Sequence, residues 1–164
     1  MRLGSISSIN LLLILIFPFH SFAEGFQTYT KEESFIKLMH DCAVEKALPA
    51  MKEFGSLYIC TLGDAKTVKL FISERPDSEE VQNIGMIWND WKTDIGYGVH
   101  SDLQDAENAM NFLIDMYVPS RKNEIKKAFG NSKSEDFSTS DFKIYYTPKT
   151  GLQKDVRLIV IEEK

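Results

Sequence analysis

At 164 residues, with 43% apolar and 12% aromatic content, the chain suits one globular domain with one core, and no internal repeat or long low-complexity run suggests a second. Nineteen Lys and Arg stand against 24 Asp and Glu, a formal charge of −5 at pH 7. That balance argues against nucleic-acid partners, because duplex binding draws most of its affinity from cations that neutralise phosphates.

Residues 1–23 read as an export leader. Arg2 supplies the positive start, Ile9 to Phe19 is apolar, and Ser21-Phe22-Ala23 places small residues at the cleavage positions. The apolar run is shorter than the roughly 20 residues a membrane-spanning helix requires. Cleavage near Ala23 leaves 24–164 as a single domain, periplasmic or secreted, with no stable membrane insertion. It removes Arg2 and no acid, so 18 basic residues face 24 acidic ones.

The first helix is expected from Thr30, with Thr30 and Glu33 forming a capping box. Phe35, Leu38, Met39 and Cys42 fall on one face at helical spacing. Pro49 interrupts this segment and Gly55 ends it. Cys42 and Cys60 are the only cysteines, and an even count in an exported chain predicts a disulfide. Neither Cys-x-x-Cys spacing nor additional local zinc ligands accompany them.

Three strands follow, Leu57 to Leu62, Thr67 to Ser73 and Gln82 to Trp88, each with alternation or a β-branched and aromatic run. Gly63-Asp64 and Arg75-Pro76-Asp77-Ser78 mark the turns between them. Trp88 to Asp102 then leads from strand to helix and holds both tryptophans. Loops on a rigid scaffold commonly carry function, so Trp88, Asp90, Trp91, Asp94, Tyr97 and His100 form the candidate ligand or partner site.

The bland reading of this passage gives the glycines to a positive-φ turn, the tryptophans to the core and Ser101 or Asp102 to a helix cap. Gly96-Tyr97-Gly98 lacks the dinucleotide and phosphate-loop fingerprints, so no cofactor is expected. His100, Ser101 and Asp102 are consecutive and cannot make a hydrolase triad by themselves. The irregular spacing of His100, Asp90, Asp94 and Asp102 predicts no metal centre.

Leu103, Ala106, Met110, Leu113, Ile114 and Tyr117 trace the clearest amphipathic helix of the chain. Pro119 stops it, and a shorter helix with Ile125, Ala128 and Phe129 ends at Gly130. The exposed side of that helix is basic, with Arg121, Lys122, Lys126 and Lys127 expected as a solvated face. Asn131 to Asp141 reads as loop. Phe142 to Thr147 and Val156 to Glu162 form a final hairpin, the last strand apolar enough for cover on both faces.

The expected class is α+β: a mainly antiparallel sheet of about five strands with helices mostly on one face, in the order α-β-β-β-α-α-β-β. Without a convergent nucleophile, base or metal set, the aromatic cluster of the Trp88–His100 loop favours a non-enzymatic binding or inhibitory module, and an export leader with no Asn-x-Ser/Thr acceptor favours the bacterial envelope. Its partner would be another envelope protein or a small ligand. The alternative is a small periplasmic hydrolase whose acid–base site assembles around His100 in the fold.

Overall fold

The strand alternation read from the sequence decides which side of the sheet the helices cover. The structure, a computed structural model, describes residues 25–131 and 133–164. The expected leader, 1–23, lies outside them. Among the described residues the strands are Val44–Leu48 (β1), Leu57–Leu62 (β2), Val68–Glu74 (β3), Val81–Trp91 (β4), Glu135–Ser138 (β5), Phe142–Lys149 (β6) and Lys154–Glu163 (β7). They form one sheet, ordered β1-β2-β3-β4-β7-β6-β5 and antiparallel throughout. Helices Tyr29–Met39 (α1), Leu103–Tyr117 (α2) and Lys122–Phe129 (α3) pack on one face.

That face is the core. Tyr58, Cys60 and Leu62 of β2, Val68, Leu70 and Ile72 of β3, and Ile84, Met86 and Trp88 of β4 are all buried, each set spaced by two as strand geometry requires. The helix stripe seated on them is Ala106, Ala109, Met110, Leu113, Ile114 and Tyr117, close to the expected one. Leu103 departs from it and is exposed. On the opposite face the Phe71 ring covers Gly85, where a Cβ would stand 2.6 Å from the ring.

Seven strands replace the expected five, for two separate reasons. Val44–Leu48 has helix-compatible composition, yet it pairs along the edge of β2. The disulfide Cys42–Cys60, with Cα atoms 5.3 Å apart, brings it there, and α1 has already ended at Met39. The pairing of cysteines is as expected, but Cys42 follows the helix instead of lying on its stripe. β5 has a single apolar side chain facing the core, Phe137, which pairs with Ile144, too little alternation to read as a strand.

The stripe of α1 is also rotated from the expected one. Tyr29, Glu32 and Ile36 are buried, whereas Leu38 is 81% exposed and Met39 is exposed too. Glu32 causes the rotation: it accepts a 2.6 Å hydrogen bond from the Tyr117 hydroxyl and a 2.9 Å bond from the Gln27 amide. A buried carboxylate so satisfied defeats a reading that assigns charges to the outside. The helix begins at Tyr29 with Thr28 at the cap and no side-chain capping bond. Glu33 pairs with Lys37 at 2.8 Å instead of closing a capping box.

Strand β7 lies between β4 and β6, inside the sheet. Cover is one-sided, however: Ile159 and Ile161 are buried, while Leu158 and Val160 are only half-buried. Among the described residues no helix is long and apolar enough to cross a membrane.

Candidate functional site

Alternation along β4 separates the two tryptophans. Trp88 and Asp90 point into the helix-covered side and are each 1% exposed, so Trp91 must point to the other face. Trp88 stacks on Phe129 of α3 with centroids 5.9 Å apart, and its indole N–H donates to the Ser101 carbonyl at 3.1 Å. It presents no surface to a ligand. Trp91, half-buried on the far face, lies under the Lys154 ammonium at 5.0 Å from the ring centre.

Asp90 is a buried acid with two cationic or polar partners. One oxygen lies 2.6 Å from His100 Nδ1, and the other accepts from Arg157 Nη2 at 2.8 Å. A carboxylate only accepts, so Nδ1 is the donor, and in the neutral form of the ring the lone pair then sits on Nε2. The His100 side chain is 54% exposed. Arg157 in turn donates to the Phe129 carbonyl and lies 5.0 Å from the Trp88 ring centre and 5.2 Å from that of Phe129. The charge is therefore buried with its hydrogen bonds made.

Beyond Trp91 the chain leaves the sheet and returns at His100, whose amide donates to the Trp91 carbonyl at 2.8 Å. Within the loop Asp94 Oδ1 accepts from the amides of Gly96 at 2.7 Å and Gly98 at 2.8 Å. These bonds, the Gly98 amide foremost, hold the Asp94 carboxyl below its ordinary range. Gly96 and Gly98 have φ of +104° and +96°, and a Cβ at either would meet nothing within 4 Å. Positive φ, not close approach to a ligand, reserves these positions for glycine.

His100 and Asp102 both take φ near +57° as non-glycine residues, a conformation that persists only where surroundings enforce it. For Asp102 the enforcement is visible. It stands at the cap of α2 but makes no capping bond. Its carboxylate instead accepts from the Ala65 amide, the Thr67 amide and the Thr67 hydroxyl, tying the β2–β3 turn to the helix start.

The six expected site residues therefore divide. Asp90 and His100 are brought into contact, Asp94 shapes the loop, and Tyr97 projects from it, 63% exposed. Trp88 and Trp91 face opposite sides of the sheet. Asp94 and Asp102 spend their carboxylates on backbone amides, and among the described residues no cluster of three His, Cys, Asp or Glu is placed to hold a metal. The triad components do not converge either, because the Ser101 hydroxyl donates to the Gly98 carbonyl.

Sequence reasoning missed Arg157 and Lys154. A signal was present: Arg157 alternates with Ile159 and Ile161 on the inner face of β7, and an inward-facing Arg requires an acid such as Asp90. Two surface grooves, one at the β6–β7 turn around Leu152 and one between Arg121 and Tyr145, include none of the expected site residues.

Compared with models of protein families, with curated proteins and with solved structures, the chain matches none. Its function is argued from the site alone.

Proposed function

We propose that the chain is exported and acts in the bacterial envelope as a non-enzymatic binding or inhibitory module, gripping a protein or small ligand with the loop 92–99. One observation carries this reading. Ile95, Tyr97 and Val99 are exposed together on a loop whose backbone is held by Asp94 and closed by the Trp91–His100 bond. Exposed apolar side chains on a pre-ordered backbone bind with less entropy to lose than a flexible segment would, and tyrosine is a frequent interface anchor.

The test is a pull-down from an envelope extract with wild type and with a Tyr97→Ala, Val99→Ala variant, both side chains being exposed on the loop. A partner held by wild type and released by the variant supports the loop as the interface. Retention of the same partners by both overturns it.

A hydrolase reading has one observation in its favour, the Asp90–His100 contact, which resembles a base with its orienting acid. It would need a nucleophile or activated water at Nε2. Hydrolysis of ester or peptide substrates by wild type, abolished in His100→Ala with the fold retained, would establish it.

A further inference from the structure

The sheet face turned away from the helices has a composition that water contact alone does not require. Register places Ile59, Phe71, Ile87, Leu158, Val160 and Tyr145 side by side on it, all half-buried. An antiparallel sheet that faces water ordinarily alternates polar side chains onto that side. The charges around this strip have the opposite sign to the chain. Lys46, Lys69, Lys143, Lys149 and Lys154 share the face with Asp136 and Glu162, five cations against two acids on a molecule of net charge −5.

We propose that this face docks a second protein that presents apolar side chains flanked by acidic groups. A basic rim around an apolar strip selects such a partner by charge, steering its approach and rejecting basic surfaces. Two other occupants fit less well. A second copy placed face to face would set lysines against lysines, since a two-fold interface apposes the same patch on both subunits. A lipid surface requires apolar side chains that bury roughly 5–10 Å into the headgroup boundary, and here they are hemmed in by their neighbours on a sheet. This surface goes beyond the loop 92–99 and shares no residue with it, Trp91 being the last residue of β4, so either reading can fail without the other.

The experiment selects short random peptides by display on the folded, full-length protein and maps the winners by amide shifts in NMR. Selected peptides are expected to be acidic and apolar, and to shift amides of β3, β4 and β7. The double variant Lys69→Glu, Lys143→Glu should weaken them by at least about tenfold, while Lys126→Glu, Lys127→Glu on the helix side should leave binding unchanged. Both variants alter exposed side chains, and circular dichroism checks their fold.

The proposal is overturned if selection yields nothing, yields basic or uncharged peptides, maps to the helices, or is indifferent to charge reversal at 69 and 143. Binding of phosphatidylglycerol vesicles through the same lysines would make the face a lipid surface instead. A dimer in light scattering whose concentration-dependent amide shifts map to β3, β4 and β7 would make the occupant a second copy.

Discussion

Asp90 is the residue on which the site depends, because its carboxylate joins β4 to β7 through Arg157 and to the loop through His100. Removing one partner of a buried pair costs more than the pair itself contributes, since the other charge stays behind unpaired. Asp90→Ala should therefore lower stability by about 3 kcal/mol in urea titration, near the low end for buried pairs because Arg157 keeps some solvent contact. A loss under about 1 kcal/mol would show the contact to be dispensable. Asp94 acts more locally. Its folded carboxyl titrates below the ordinary aspartate value, so its hold on the loop is complete above the unfolded value and is lost as pH falls through the lower folded one. NMR titration of the Gly96 and Gly98 amides should show flat shifts near neutrality and a transition in acid, with a midpoint below that of a free aspartate. A midpoint at or above the free value would contradict the geometry.

At the scale of elements, α2 and the disulfide carry separable loads. Leu113 is fully buried on the helix stripe, whereas Asn108 is exposed on the same helix. Leu113→Asp places a carboxylate among apolar neighbours without a partner, and thermal melting should find it unfolded or far below Asn108→Asp, which should melt close to wild type. Equal melting temperatures for the two would defeat the packing described. The Cys42–Cys60 bond closes a separation of 18 residues, worth about 3 kcal/mol in the chain-entropy model. A Cys42→Ser, Cys60→Ser variant should lose roughly that much, and hydrogen exchange should show the loss first in β1, an edge strand paired, among the described residues, only with β2. Uniform exchange across the sheet would mean that the bond does not serve to hold β1.

For the molecule as a whole, the last strand in sequence joins the two halves of the sheet. β7 pairs with β4 on one side and β6 on the other, and it also supplies Arg157 to the site. A chain ending at Asp155 would leave β1–β4 and β5–β6 as unconnected sheets with open interior edges. Circular dichroism should show that it does not fold. A cooperative melt for the truncated chain would require a different strand order. Charge is distributed at this scale too, with the basic residues of the outer face set on an acidic molecule, and the docking test above probes that asymmetry directly.

Taken alone, the sequence determined what short periodicity and composition carry: the α+β class, the three strands around Gly63 and Pro76, the stripe of α2, the final hairpin and the cysteine pairing. These were legible because apolar spacing of two or of three and four records which side chains face the core. Tertiary structure alone decided β1, β5, the rotation of α1 and the separation of Trp88 from Trp91. In each case a distant partner set the outcome: the edge of β2 for β1, Ile144 for Phe137, and Tyr117 for Glu32. The candidate site divides in the same way. Its loop was visible as a cluster of glycines and aromatic residues, while the Asp90–His100–Arg157 contact needed two strands and a loop, 67 residues apart at the widest, to meet over one buried carboxylate. Local spacing cannot record such a meeting, because it is fixed by strand order and not by neighbours along the chain.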